Sequence, residues 1–272
     1  MKYIDCKKYA QEVLDEVKAV PSKGKLVIIT VGDDPASQVY VKGKIKDCEY
    51  CGIPVEHVKI EYNPSTHINL INTILHNNGD ATVAGIILQL PLPESLRDHE
   101  HYYCDLITPD KDVDGLNPNS HFQPCTPKGI MYVLKKEIGD LAGKDALIIG
   151  RSHLVGKPLA KMLIDADCTV TLAHSKTRGI THHLNYADIV VSAVGKARAF
   201  DLVDCFNAEI AIDVGINRDA DGFLCGDFGC FESDEDFTLK VTPVPGGVGL
   251  MTRAMLMQNV AEASMRMKYV GR

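Results

Sequence analysis

Residues 146–156 read Ala146-Leu147-Ile148-Ile149-Gly150-Arg151-Ser152-His153-Leu154-Val155-Gly156. An apolar run enters a glycine, and from Val155 to Ala166 the apolar spacing becomes that of a helix. A buried strand, a glycine turn and a helix N-terminus in succession aim backbone N–H groups and the positive end of a helix dipole at one point. That is the arrangement that binds a pyrophosphate. The spacing is Gly-x5-Gly rather than GxGxxG, so the motif alone is weak.

The next strand, Thr169–Leu172, adds a second signal. An NAD site carries Asp or Glu at the end of this strand to hold the ribose hydroxyls. Here the strand runs into Ala173-His174-Ser175-Lys176, with Arg178 beyond it and Arg151 on the preceding loop. Basic and hydroxyl groups without a carboxylate favour a 2′-phosphate, and so NADP over NAD, with NAD left open. An ordinary solvated basic surface has the same composition.

Working outward, strands are predicted at Ile189–Ala193 and Ile210–Val214, after a helix from Pro127 to Ile138. Periodicity disappears around Leu116–Pro124, which marks a domain boundary. Before it lies another alternating series. Tyr9, Val13, Leu14 and Val17 mark a helix face, and Leu26–Val31 is a strand ending at Gly32. Pro35 starts a helix through Tyr40 and Lys44 to Cys51, with Gly52 as its stop. Strands around Val55–Ile60 and Val83–Leu88 flank a helix over Ser65–His76. Helical crossovers between strands imply parallel sheets. The expectation is two α/β domains with a cleft between them, the second a Rossmann-like dinucleotide-binding domain. The first spans 1–118 and is joined by a C-terminal helix in 251–272; the second spans 119–250.

Composition narrows the function. The chain has 272 residues, 45% of them hydrophobic, and a formal net charge of −7, which argues against a nucleic-acid or anionic-membrane surface. Nine cysteines, odd in number and without a secretory leader, fit a reducing cytoplasm. Cys48 and Cys51 form a CxxC, but no second pair stands at zinc spacing, and no metal site is expected. No apolar run reaches the roughly 20 residues that span a bilayer.

Candidate chemistry lies in four further places. Pro243-Val244-Pro245-Gly246-Gly247-Val248-Gly249 reads as a rigid, bare wall for a flat ligand before a helix, or else as an elaborate αβ connection. Tyr40 and Lys44 share a helix face, as a surface lysine beside a half-buried tyrosine also would. Gln89 follows the strand Ile86-Ile87-Leu88 and opens Gln89-Leu90-Pro91-Leu92-Pro93, at a strand end where open α/β sheets bind ligands. Asp114 closes Pro109-Asp110-Lys111-Asp112-Val113-Asp114-Gly115, whose intervening lysine and missing later ligands argue against calcium.

These motifs, with Gly150-Arg151-Ser152 and Asp213-Val214-Gly215-Ile216-Asn217, occur in an order that resembles the bifunctional methylenetetrahydrofolate dehydrogenase/methenyltetrahydrofolate cyclohydrolases, the FolD family. The resemblance spans essentially the whole chain. It implies oxidation of 5,10-methylenetetrahydrofolate to the methenyl cation with NADP, then hydrolysis to 10-formyltetrahydrofolate, within one-carbon metabolism and purine biosynthesis. It implies that Asp114 holds the pterin edge, that Tyr40 stacks beside the folate, and that Pro245, Gly246 and Gly247 contact it. Gly150, Arg151, Ser152, Ser175 and Ile216 would hold the cofactor. Lys44 would be the main group of the hydrolytic step, with Gln89 positioning it or the attacking water. A lysine acts as a base only when uncharged, a form that desolvation and a cationic substrate both favour.

A homodimer is also implied, through the second domain. Leu250 stands where the family has proline, and Gly229-Cys230 where it often has Asp, which bears on affinity and cofactor choice. No segment after Arg272 could hold a formate-ligase domain, so that third activity of larger relatives is expected to be absent. The alternatives are a dehydrogenase without effective hydrolysis and a noncatalytic folate- or nucleotide-binding module.

Overall fold

The computed structural model describes residues 1–229 and 238–267. The chain runs β1 (Lys2–Tyr3), α1 (Cys6–Lys18), β2 (Lys25–Val31), α2 (Pro35–Cys51), β3 (Val55–Ile60), α3 (Thr66–Gly79) and β4 (Val83–Leu88). Two short helices, α4 (Glu94–Arg97) and α5 (Glu100–Asp105), precede α6 (Cys125–Glu137) and β5 (Asp145–Ile149). Then come α7 (Gly156–Ile164), β6 (Thr169–Ala173), α8 (Ile180–Tyr186), β7 (Ile189–Ser192), β8 (Phe200–Asp201) and β9 (Ile210–Asp213). The short strands β10 (Asn217–Arg218), β11 (Leu224–Cys225), β12 (Phe228–Gly229) and β13 (Lys240–Val241) lead to α9 (Val248–Arg266).

Two compact units result: Gln11–Cys125 with the chain from Arg253 onward, and Met1–Ala10 with Thr126–Thr252. In the first unit a parallel sheet has the order β3-β2-β4. All six residues of β4 are buried, as expected of a strand covered on both faces, and Val27, Ile29, Ile86 and Leu88 join Leu70, Ile74 and Tyr103 in its core. Helix α2 is fixed at both ends. Pro35 opens it, the Asp34 carboxylate accepts the Ser37 N–H at 2.7 Å, and the left-handed Gly52 donates to the Cys48 and Glu49 carbonyls.

The second unit carries a six-stranded parallel sheet of order β1-β13-β9-β7-β5-β6. Leu147, Ile149, Val190 and Ala211 line its buried face with Leu184 and Val241. Residues 1–10, placed with the first series on sequence continuity, lie here instead: Lys2 and Tyr3 pair with Lys240 and Val241. The chain passes from one unit to the other within α1, at the start of α6 and within α9, the last between Thr252 and Arg253. Helix α9 starts at Val248, earlier than the expected Met251. Cys230 and positions 268–272 of the expected terminal helix lie outside the described residues.

Candidate active site

In the first unit, α2 presents Tyr40 and Lys44 one turn apart. Lys44 is only 7% exposed, and its Nζ donates to Gln89 Oε1 at 2.9 Å. Gln89 sits just past β4, where its N–H continues the ladder to Ile29 O at 2.9 Å. Its Nε2 donates to Leu90 O at 2.7 Å, which fixes the amide so that the oxygen faces the lysine. Half-buried Tyr40 has its phenol pushed above its ordinary value by burial, with the Arg253 guanidinium opposing.

Two residues that sequence spacing did not single out meet beside this helix. Arg253 of α9 pairs with Asp47 of α2, Nε to Oδ2 at 2.8 Å. Burial nevertheless pushes the Asp47 carboxyl up. A Cβ on Gly43 would lie 2.2 Å from the Arg253 guanidinium, so the glycine is what admits this charge.

Asp114 lies on a segment that runs beside β4: Ile86 bridges Asp112, and the Ile86 N–H donates to Lys111 O at 2.7 Å. Half-buried, Asp114 has a carboxylate without a hydrogen-bond partner among the described residues, although its backbone carbonyl accepts the Cys125 N–H at 3.2 Å. Neighbouring Asp112 is structural. Its Oδ2 accepts the Asn117 N–H at 2.8 Å, its buried Oδ1 has no partner among the described residues, and burial pushes its carboxyl up to about 7. Lys111 caps α3, donating to the carbonyls of Asn77, Asn78 and Asp80. The CxxC thiols are buried and inert, Cys48 pushed up to about 12 and Cys51 to about 11, burial being the main cause. No group of three or more His, Cys, Asp or Glu among the described residues could hold a metal ion.

In the second unit, β5 is followed by Gly150, whose φ of +120° lies outside what a side chain readily allows. A Cβ there would meet Ala193 O at 2.4 Å, and one on Gly156 would meet Gly150 O at 1.8 Å. The two glycines therefore let the turn after β5, the start of α7 and the segment after β7 close on one another. Ser152 Oγ accepts the Val155 N–H at 3.2 Å. Arg151, Ser152 and Ser175 are exposed, Ile216 is 50% exposed, and Arg151, Lys176 and Arg178 form no ion pair among the described residues. Two buried carboxylates, Asp213 and Asp227, brace the neighbouring loops. In the wall before α9, Pro245 and Gly246 are exposed and Gly247 is buried. Leu250 donates its N–H to Gly247 O at 3.0 Å, a bond that proline could not make. The structure thus brings Tyr40, Lys44, Gln89 and Asp114 into the first unit. It sets Gly150, Arg151, Ser152, Ser175, Ile216, Pro245, Gly246 and Gly247 in the second.

The strand order reverses between β5 and β7, because β6 lies on the far side of β5. A glycine turn and a helix N-terminus at that reversal define a dinucleotide-binding α/β protein. Comparison with known proteins narrows the class. Residues 4–114 match the tetrahydrofolate dehydrogenase/cyclohydrolase catalytic domain and residues 124–268 its NAD(P)-binding domain. The chain belongs to the tetrahydrofolate dehydrogenase/cyclohydrolase family. It is 43% identical over 286 residues to the bifunctional protein FolD of Anaeromyxobacter dehalogenans, covering 98% of this chain and 99% of that one. The crystal structure of the bifunctional FolD enzyme from Campylobacter jejuni superposes with a TM-score of 0.88 at 37% identity, covering 97% and 99% of the two chains. The Trypanosoma brucei FolD, solved with NADP cofactor and inhibitor, gives 0.87 at 30% identity, covering 97% of each chain.

Proposed function

We propose that this chain oxidises 5,10-methylenetetrahydrofolate with NADP and hydrolyses the methenyl product to 10-formyltetrahydrofolate, in one-carbon folate metabolism. The unit of Gln11–Cys125 with the chain from Arg253 carries the folate chemistry. The other unit holds the dinucleotide. The observation that carries the hydrolytic half is the buried Lys44 Nζ held 2.9 Å from Gln89 Oε1.

Gln89 takes one N–H of Lys44. An uncharged amine so held keeps its lone pair for a proton of the attacking water. As the water oxygen bonds to the methenyl carbon, one water proton passes to Nζ. When the bond from that carbon to the ring nitrogen N5 then breaks, Nζ gives that proton to N5 and the remaining hydroxyl proton leaves to solvent as the formyl C=O forms, so one proton is released overall. The Asp114 carboxylate, without a hydrogen-bond partner among the described residues, accepts two hydrogen bonds from the pterin's amino and N–H edge. Tyr40 lies against the folate.

NADP supplies the hydride acceptor when bound. The residues present fit it: the Gly150 turn and α7 N-terminus suit a pyrophosphate, and the exposed Arg151, with Ser152 and Ser175, suits a 2′-phosphate. Ile216 offers apolar contact. No helix among the described residues is long and apolar enough to cross a membrane. We place the enzyme in the cytoplasm as a homodimer built on the second unit, without nucleic-acid or membrane partners.

Turnover of 5,10-methylenetetrahydrofolate with NADP and NAD in parallel tests this reading. Reduced NADP with formyltetrahydrofolate as product is the expected result. Methenyl accumulating at its uncatalysed hydrolysis rate would leave a dehydrogenase alone. No reduced nicotinamide with either cofactor would leave a binding module.

A further inference from the structure

We infer that Asp227 is a positioning residue for the dinucleotide: its carboxylate shapes the turn Val194–Lys196, which forms the second wall of the cofactor crevice opposite Gly150–Ser152. The inference rests on the cofactor reading above.

Open parallel sheets bind ligands outside the carboxyl ends of the two strands at which the order reverses. Here those strands are β5 and β7. The turn after β5 is the glycine turn. The segment after β7 starts at Ala193, whose N–H donates to Ile149 O at 2.8 Å and whose carbonyl closes on Gly150. The next residues, Val194–Lys196, belong to no strand or helix and need an outside support.

Asp227 is that support. It is 0% exposed. Its Oδ2 accepts from Ser192 Oγ at 2.9 Å, Val194 N at 2.8 Å and Gly195 N at 3.4 Å. Its Oδ1 accepts from Lys196 N at 2.9 Å and Asn217 Nδ2 at 3.0 Å. Asn217 follows Ile216, so one carboxylate ties the turn after β7 to the segment carrying a cofactor contact. A second buried carboxylate fixes Asp227 itself, since Asp213 Oδ1 accepts the Asp227 N–H at 2.9 Å.

Every partner of the Asp227 side chain is a donor, and an ionised carboxylate is an acceptor at both oxygens. An asparagine must turn its NH2 toward either the Ser192, Val194 and Gly195 group or the Lys196 and Asn217 pair. Both orientations set donors against donors and release one side of the turn.

The test compares Asp227→Asn and Ser192→Ala with the parent protein, using direct NADP binding and the KM for each substrate. Far-UV circular dichroism and a cooperative urea melt report that the variant's dinucleotide unit is folded, and hydrolysis of supplied methenyltetrahydrofolate, which consumes no nucleotide, reports on the other unit. Asp227→Asn should weaken NADP about tenfold in Kd and in KM, while the folate KM stays within about twofold. Ser192→Ala removes one bond and should weaken NADP about fivefold. It decides the matter if Asp227→Asn does not fold. NADP affinity within about twofold of the parent, in a folded variant, overturns the inference even if thermal stability falls. A parent protein that binds no NADP overturns the cofactor reading, and this inference with it.

Discussion

Lys44 and Gln89, 45 residues apart in sequence, meet at 2.9 Å where α2 passes the end of β4. The contact turns two unrelated sequence motifs into one chemical unit. Lys44→Met keeps the bulk of the side chain and removes the amine. It should lower methenyl hydrolysis by about 10²- to 10⁴-fold, the range for loss of a general base. Dehydrogenation, which needs no such base, should retain measurable activity. Absorbance decay of the methenyl substrate checks the first expectation and NADP reduction the second; full hydrolytic activity would remove Lys44 from the mechanism.

Asp114→Asn leaves the turn intact, because the internal hydrogen bond of Asp114 is made by its backbone carbonyl. It removes a charged acceptor, whose bonds are each worth about 1.5–3 kcal/mol. The KM for folate should rise in both reactions by roughly tenfold or more, while NADP affinity holds. Unchanged folate KM would move pterin recognition elsewhere.

Gly150→Ala acts on the other ligand. Its Cβ would need a backbone carbonyl at 2.4 Å to retreat, at a φ of +120°. The expected cost is about 1–3 kcal/mol of stability together with loss of NADP binding. Urea melts and nucleotide titration measure the two effects, and ordinary NADP affinity in the variant would dissociate the turn from the cofactor.

Ser175→Asp places a carboxylate at the end of β6, where an NAD site carries one. The ratio of kcat/KM for NADP over NAD should drop by tenfold or more through repulsion of the 2′-phosphate, at roughly 1.4 kcal/mol per decade. A ratio that does not move would mean that Arg151 and its neighbours are only a solvated surface.

Stability should fall as the pH rises from about 4 to about 7. Burial holds Asp112 near about 7 and Asp213 near about 6, against about 3.9 in an unfolded chain. Across that window the folded chain binds protons that the unfolded chain has released. Each group therefore subtracts about 1.4 kcal/mol per pH unit until its folded-state value is passed. Urea midpoints at pH 5 and pH 8 should differ accordingly, and Asp112→Asn should flatten the slope. An equal slope in that variant would clear Asp112 of the effect.

The elements that could be read from sequence had local causes. Pro35 and Gly52 bracket α2, and the apolar runs at 26–31, 83–88 and 146–149 lie in strands whose faces are both covered. The pairing of β1 with β13 left no such trace, because Lys2 and Tyr3 are exposed and their partners lie at the other end of the chain. At the site, residue types at strand ends and helix faces identified Lys44, Gln89 and Asp114 as candidates. Which of them touch depends on packing that spacing does not encode. Arg253 shows the same limit. Its guanidinium reaches Asp47, 206 positions away, because Gly43, one turn earlier on α2, has no side chain to stand in the way.

The pairing of Lys2 and Tyr3 with Lys240 and Val241 also sets a timetable. During synthesis the first strand of the six-stranded sheet leaves the ribosome early and must wait, unpaired, until Lys240 and Val241 are made, roughly ten to fifty seconds later at ordinary elongation rates. The three-stranded sheet of the other unit is complete in sequence by Leu88, yet Arg253, the partner of Asp47, is added only after that wait ends. Neither unit can therefore be finished early on the ribosome: one lacks β13 and the other lacks Arg253 until most of the chain has been made.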